Sequence, residues 1–212
     1  HEKTFFNPTA LAAMVGSDIA DADLEAKLKA WNAFQFERVG LNLRPELIAL
    51  KDVNGDKAAF ASAAKKIAET SEFNLVLMTD NEDAMKAGIE ASGFKKPLMY
   101  AATEANVDAY GALAKENNLP LTVKADSVAD LVPLTNKLTE MGLKDLVIDS
   151  GSREIQSSFQ DQISIRRAAL KDLNRSVGYP TICFPCEMAD NLDMETLISS
   201  MYIAKYGGIV VL

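Results

Sequence analysis

Residues 121–149 read LTVKADSVADLVPLTNKLTEMGLKDLVID and contain the pattern that decides the fold. A short apolar run, Leu121–Lys124, comes first, and a second one, Asp145–Asp149, comes last. The segment between them has one face at helical spacing, made of Val128, Leu131, Val132, Thr135 and Leu138. Two short strands joined by a helix predict parallel pairing, because a parallel connection must cross the sheet.

The same alternation fills the whole chain. The runs predicted as strands are Leu11–Val15, Leu47–Lys51, Asn74–Met78, Pro97–Ala101, Leu121–Lys124, Asp145–Asp149, Thr181–Phe184 and Gly208–Leu212. From the second run onward their starts lie 23 to 36 residues apart, the length of a strand and its crossover helix. Eight such strands predict an α/β fold of the (β/α)₈ TIM-barrel class, with the last helix expected beyond Leu212. An open doubly wound sheet is the alternative.

Local signals agree with these strands. Thr103, Ser127 and Asp193 are predicted helix N-caps, and Gly93, Gly142 and Gly207 are predicted helix stops. The crossover from Gly151 to Tyr179 is the longest, and its expected buried stripe is Phe159, Ile163, Leu170 and Leu173. We predict that residues 1–212 form a single domain excised from a larger protein, because the chain lacks an initiator Met and stops inside an apolar run.

Composition narrows the class of protein. Hydrophobic residues make up 48% and charged residues 25%, which is typical of a globular protein. No apolar run approaches the ~20 residues of a membrane span. A net charge of −8 makes nucleic acid an unsuitable partner. Two cysteines three residues apart are not a secreted disulfide framework, so we expect a cytoplasmic protein.

Polar residues follow the predicted strands, where barrel enzymes place their chemistry. This predicted rim consists of Asp52, Asn54, Asp80, Asn81, Thr103, Glu104, Lys124, Asp126, Asp149, Ser150, Gly151, Cys186 and Glu187. The candidate ring- or cofactor-binding groups are Asp80, Asn81, Thr103, Glu104, Asp126 and Asp149. Helix capping is the competing interpretation for most of them. Asp149 ends a very apolar strand, so we expect its charge to be partly desolvated.

Two further features could carry chemistry. Lys124 could form a Schiff base if burial lowered its pKa, but it could equally pair with a rim carboxylate. The Cys183-Phe-Pro-Cys186 segment resembles a redox motif, yet it begins inside a strand and His1 is the only histidine available as a further zinc ligand. We therefore expect two ordinary thiols, with Cys183 packed and Cys186 on the rim. The residues alone indicate a ligand-binding or partner-binding barrel, with no catalytic or metal residue assigned.

Several longer motifs resemble one family. They are HEKTFFNP at residues 1–8, RVG at 38–40, YAATE at 100–104, VKAD at 123–126, DLVIDSG at 145–151, GYPTI at 178–182, FPCE at 184–187 and IAKY at 203–206. The first and the GYPTI motif are the most specific. Across the whole chain the sequence resembles the central barrel of the corrinoid iron–sulfur protein large subunit, the γ subunit of acetyl-CoA decarbonylase/synthase.

The resemblance implies a role within a larger methyl carrier. In that family a [4Fe–4S] domain precedes the barrel and a corrinoid-binding domain follows it, and these residues lack the four-cysteine motif and the corrinoid domain. The resemblance therefore implies no cofactor on this fragment alone. It implies as partners a small barrel subunit, a methyltetrahydrofolate- or pterin-dependent methyltransferase and acetyl-CoA synthase. A non-catalytic scaffold is the favoured hypothesis, and a methyltransferase barrel that binds folate or pterin through Asp80, Asn81, Asp126 and Asp149 is the alternative.

Overall fold

The computed structural model describes residues 7–205 and 207–212. Its strands are β1 (Ala10–Gly16), β2 (Phe36–Arg38), β3 (Leu41–Leu43), β4 (Leu47–Lys51), β5 (Asn74–Met78), β6 (Leu98–Ala102), β7 (Leu121–Lys124), β8 (Leu146–Asp149), β9 (Ile182–Cys183) and β10 (Ile209–Val211). Its helices are α1 (Asp21–Ala33), α2 (Lys57–Thr70), α3 (Glu82–Ala91), α4 (Val107–Asn117), α5 (Val128–Glu140), α6 (Ile155–Leu170) and α7 (Leu192–Ala204). Short 3-10 turns lie at Arg175–Val177 and Pro185–Glu187.

The chain forms two compact units, and the N-terminal unit spans Leu11–Tyr100. Within it, β1, β4, β5 and β6 pair in parallel in that order. Leu50 lies opposite Leu77, which in turn lies opposite Met99, and all three are fully buried. This continuous burial is expected of parallel strands that are covered by helices on their outer face. The core of this unit therefore contains side chains that lie opposite one another on neighbouring strands.

The C-terminal unit comprises Ala101–Leu212 and the residues up to Ala10. In it, β7 pairs in parallel with β8, and β9 pairs in parallel with β10. A parallel bridge between Ile148 and Thr181 links these two pairs. The register places Lys124 opposite Asp149 at the carboxyl ends of their strands. Two of the predicted rim residues are thus neighbours on adjacent strands.

Each unit supplies four parallel strands with helices between them, and the predicted (β/α)₈ class is confirmed. All eight predicted strands are present, with ends that differ by at most one residue. The single-domain organisation and the excision from a larger protein remain predictions.

The predicted helix caps have mixed outcomes. Ser127 caps α5, since its hydroxyl accepts a hydrogen bond from the Asp130 amide. Thr103 and Asp193 were the wrong choices, because α4 starts after Asn106 and the cap of α7 is Asn191. At the predicted stops, Gly93 and Gly142 adopt positive φ angles and Gly207 does not.

The predicted buried stripe of α6 is wrong. Leu170 and Leu173 are exposed, and the buried residues of the helix are Ser158, Gln162 and Ile165. The buried face of α6 includes polar side chains. One of them, Gln162, is hydrogen-bonded to Cys183 on β9 and to Thr181 just before β9. The spacing of apolar residues therefore predicted the wrong buried face for α6.

The β2–β3 hairpin was not among the predicted elements. It is antiparallel, joined through Val39 and Gly40, and lies between α1 and β4. Three-residue strands are too short for a period-2 pattern to be read from the sequence. None of the helices among the described residues has the length and apolarity needed to cross a membrane.

Candidate functional site

The rim of the N-terminal unit is organised by its own hydrogen bonds. Asp52 follows β4, accepts the Thr79 hydroxyl at 2.8 Å and accepts the Gly55 amide at 2.9 Å. Asn81 caps α3, accepting the amides of the next turn at 2.9 and 3.2 Å. Asp80, between them, is exposed. The capping interpretation therefore holds for Asn81, whereas Asp80 makes no cap.

The rim of the C-terminal unit forms a cleft of about 430 Å³, lined by residues 103–105 and by residues at and after the carboxyl end of β7. It brings together four predicted rim residues, Thr103, Glu104, Lys124 and Asp126, and adds Asp130. Thr103 is held in place because both its amide and its hydroxyl contact Asn106 Oδ1, at 2.6 and 3.3 Å.

The charges of this cleft favour some ligands over others. Three carboxylates and one ammonium line it, which gives a formal charge of −2. Its volume is within the range of small-molecule sites, roughly 300–1,000 Å³. The cleft therefore suits a small neutral or cationic heterocycle that donates hydrogen bonds, and it disfavours phosphorylated ligands.

Asp149 belongs to a different arrangement, an ion-pair cluster at the end of β8. Arg153 Nη1 donates to Asp149 Oδ1 at 3.1 Å and Nη2 donates to Oδ2 at 2.8 Å, a two-point contact. The Nε of the same guanidinium donates to Glu187 Oε2 at 2.8 Å. Its centre lies 4.5 Å from the ring centroid of Phe184. Asp149 is 3% exposed, so the expected desolvation of its side chain is present.

The backbone after Asp149 is held as tightly as its side chain. The Gly151 amide donates to Asp149 Oδ1 at 2.8 Å, and Gly151 adopts a φ of +74°. A Cβ atom at this position would lie 2.5 Å from the carbonyl oxygen of Ala125. Only glycine fits this turn, because other residues are strained at positive φ and would also clash. The turn thereby places Arg153 over Phe184.

A polar network lies behind the cluster. The Thr181 hydroxyl donates to Gln162 Oε1 at 3.0 Å, and Gln162 Nε2 contacts Cys183 Sγ at 3.1 Å. Burial, reinforced by the charge of Asp149, raises the pKa of the Cys183 thiol to about 12. Nearby, the Tyr202 hydroxyl donates to Ser158 Oγ at 2.7 Å, and burial raises the pKa of Tyr202. Cys183 is thus a protonated, packed thiol at neutral pH.

The two cysteines differ as the sequence predicts, since Cys183 is buried, Cys186 is partly exposed and neither forms a disulfide. A [4Fe–4S] cluster requires four cysteine thiolates, and this chain has two cysteines. No group of three or more potential metal ligands occurs within residues 7–205 and 207–212. These residues do not fit an iron–sulfur cluster.

Sequence reasoning missed Arg153, Asn106 and Gln162. A signal for Arg153 was available, because an arginine four residues after a buried strand-end aspartate is within reach of its carboxylate. Gln162 gave no signal, since it occupies a position that the apolar spacing assigned to solvent. Whether Asp80, Asn81, Thr103, Glu104, Asp126 and Asp149 bind a cofactor remains a prediction.

The family follows from comparison with known sequences. A family model described as CO dehydrogenase/acetyl-CoA synthase delta subunit matches residues 1–212. The chain belongs to this family. Among its relatives, the corrinoid/iron-sulfur protein large subunit of Moorella thermoacetica is 41% identical over 212 residues. Subunit gamma 2 of the acetyl-CoA decarbonylase/synthase complex of Methanosarcina mazei is 32% identical over 225 residues.

Both relatives are longer than this chain. Each match covers 100% of the chain but only 47% and 48% of the relatives, so the chain spans about half their length. The family description names a delta subunit while these relatives are large or gamma subunits. Membership in the family rests on the match of its model to residues 1–212.

Solved structures add the fold alone. A dihydropteroate synthase from Vibrio fischeri superposes with a TM-score of 0.68 at 11% identity, covering 97% of this chain and 87% of that one. A truncated 3-deoxy-D-arabino-heptulosonate 7-phosphate synthase from Thermotoga maritima gives 0.67, also at 11% identity, covering 98% and 75%. The two enzymes differ in chemistry yet match this family member equally well, so the shared fold does not select a reaction.

Proposed function

We propose that this chain is the barrel platform of the large subunit of a corrinoid iron–sulfur methyl carrier. The carrier would take a methyl group from a methyltetrahydrofolate- or pterin-dependent methyltransferase and deliver it to acetyl-CoA synthase. The observation that carries the proposal is the 41% identity to the Moorella large subunit, which extends over all 212 residues.

A non-catalytic role is supported by how the rim side chains are used. Asp149 is bound at both oxygens by Arg153, and Asn81 is occupied as a helix cap. Groups that are already satisfied within the protein are poorly suited to bind a ring or move a proton. The rim of each unit thus resembles a rigid support more than an active site.

The cofactors and partners are part of the same proposal. We place the corrinoid and the [4Fe–4S] cluster on other parts of the full-length protein, since this chain cannot supply four thiolates. The proposed partners are the small barrel subunit, the methyltransferase and acetyl-CoA synthase, in the cytoplasm. A rigid barrel would serve as the fixed support from which a mobile corrinoid domain reaches two different enzymes.

Sedimentation of the chain mixed with the small subunit tests the proposal. We expect a one-to-one complex at micromolar concentration. If the two proteins sediment separately at micromolar concentration, the platform role is wrong.

A second candidate, direct pterin binding, is favoured by the acidic cleft lined by Glu104, Lys124 and Asp126. Its carboxylates could accept hydrogen bonds from a pterin ring. Calorimetric titration with methyltetrahydrofolate tests it, with Asp126→Asn as the variant and Asp193→Asn, at an exposed aspartate on α7 outside the cleft, as the control. Binding that Asp126→Asn alone abolishes would favour the second candidate. Heat that neither variant changes would count against it. An Asp149 variant is less informative, because it would also break the ion-pair cluster.

A further inference from the structure

The β2–β3 hairpin of the N-terminal unit has one apolar and one polar face. Phe36 lies opposite Leu43, and Arg38 lies opposite Leu41. Because side chains alternate across a strand, these four residues share one face. The opposite face carries the Glu37–Asn42 pair, where the Asn42 amide also donates to Gln35 Oε1 at 3.1 Å. The hairpin is therefore amphipathic, as a pair of strands is when one of its faces packs against another surface.

Nothing within the described chain covers the apolar face. Phe36 is 54% exposed, Leu41 is 65% exposed and Leu43 is 46% exposed. Phe34 and Val39 extend the patch, with Val39 at 93%. Single exposed apolar residues are common on protein surfaces, but five within ten residues form a contiguous patch of the kind that marks an interaction site.

The turn of the hairpin carries an unusual residue. Val39 has a φ of +50° and is followed by Gly40 at +76°, the two positive values of a type I′ turn. Asparagine or aspartate is the usual residue before glycine in such turns, because a β-branched side chain is strained there. Valine at this position makes the turn less stable and enlarges the exposed apolar surface.

The hairpin lies on the side of the unit that the rim does not use. It connects the end of α1 to the start of β4, at the amino ends of the strands. Asp52 and Asn81 follow the carboxyl ends. A segment at this end of the strands does not reach the rim of its own unit.

We propose that this hairpin face, which carries Arg38 among its apolar side chains, docks into an apolar groove with a carboxylate at its border on a different subunit of the complex. This rests on the proposed function, since the relatives are named as complex subunits. The net charge of −8 opposes pairing with a second copy and attachment to an anionic membrane, and Arg38 on this face would be complemented by a carboxylate of the partner. Residues 36–43 are fewer than the roughly 20–30 residues that a standard interface takes from each side, so the hairpin would be one part of a larger contact.

Binding of the small subunit to the wild-type chain and to a Phe36→Ser/Leu41→Ser double variant tests the inference. We expect at least tenfold weaker binding by the variant. Leu197→Ser is the matched control, because Leu197 on α7 is 56% exposed and lies outside the hairpin. Val39→Asn is a second variant that should keep the turn folded and still weaken binding severalfold. Circular dichroism checks that each variant is folded.

The outcomes separate this inference from the proposed function. A wild-type complex that the hairpin variants leave unchanged, or that Leu197→Ser weakens equally, overturns the hairpin inference and leaves the platform proposal standing. No wild-type complex at all overturns both. Dimerisation of the chain alone, or binding to phosphatidylglycerol vesicles, that the double variant abolishes would assign the face to a second copy or to lipid, and would also overturn the inference.

Discussion

Arg153 holds the buried carboxylate of Asp149 at two points, with N–O distances of 3.1 and 2.8 Å. The same guanidinium reaches Glu187 and lies over the ring of Phe184. One side chain thereby joins the end of β8 to the turn that follows β9.

Replacing Arg153 with alanine should destabilise the chain by about 3–5 kcal/mol, because Asp149 would remain buried without a counter-charge. Arg153→Lys should recover part of this loss, since lysine keeps the charge but not the planar fork. Arg44→Ala is the control, because Arg44 pairs with Glu72 on the surface and should cost less than about 1 kcal/mol. Urea unfolding measures all three, and equal losses at Arg153 and Arg44 would refute the cluster's importance.

Two buried threonines should respond in opposite directions to valine. Thr122 is fully buried, and its hydroxyl has no hydrogen-bond partner in the described part of the chain. Thr135 is equally buried, and its hydroxyl donates to the Ser176 carbonyl at 2.8 Å. We expect Thr122→Val to raise the free energy of unfolding by about 1 kcal/mol and Thr135→Val to lower it by about 1–2 kcal/mol. The same sign for both would contradict the assignment.

Two glycines at positive φ should differ in their tolerance of alanine. Gly151→Ala must place a Cβ against the Ala125 carbonyl, whereas a Cβ at Gly55 meets nothing within 4 Å. Gly55→Ala should therefore cost about 1 kcal/mol of backbone strain alone, and Gly151→Ala about 3 kcal/mol or more. Thermal unfolding of the two variants compares them. A loss at Gly55 as large as at Gly151 would show that the clash with Ala125 is unimportant.

The buried thiol of Cys183 makes stability depend on alkaline pH. Its pKa rises from 9.0 to about 12 in the folded chain, so the folded state keeps a proton that the unfolded state releases. This contribution is complete below pH 9 and is lost as the pH rises toward 12, at up to roughly 1.4 kcal/mol per pH unit. Cys183→Ala removes the effect. The difference between the two unfolding profiles from pH 8 to pH 11 isolates it from other titrating groups, and parallel profiles would disprove it.

Thiol labelling follows from the same burial. Cys186 is partly exposed, so it should react with a disulfide reagent in the native chain while Cys183 stays protected. Both should react in denaturant. If Cys183 and Cys186 were instead oxidised to a disulfide by mild oxidant without loss of structure, the interpretation of two ordinary thiols would fail.

Much of the fold could be predicted from the sequence because most residues of strands such as β5, β6 and β8 are buried. Runs such as Asn74–Met78 are apolar and separated by helical segments, and this pattern is read without knowing any contact. The hairpin at β2 and β3 was not predicted, since each strand has three residues and its apolar side chains are largely exposed. The burial of Gln162 on α6 was not predicted either, because it depends on hydrogen bonds to Thr181 and Cys183, which are distant in the sequence.

The candidate site was predicted only in part. Position after a strand correctly placed Thr103, Glu104 and Asp126 around one cleft. Position alone could not show that Asp149 forms an ion pair with Arg153, since that contact depends on the tight turn at Gly151. Position also could not show which rim residue caps a helix. The helix α4 begins three residues later than predicted, so its N-cap position is Asn106 and not Thr103.

The hairpin also bears on the colloidal behaviour of the protein. A two-stranded sheet has no interior strand, so β2 and β3 each present an outer backbone edge that another strand can join. At neutral pH the charge of −8 keeps molecules apart, but repulsion vanishes near the isoelectric point of about 4.8. Mild acid should therefore bring the chain out of solution through edge-to-edge association at residues 36–43. A partner that covered the hairpin would act as a solubilising agent as well as a binding one.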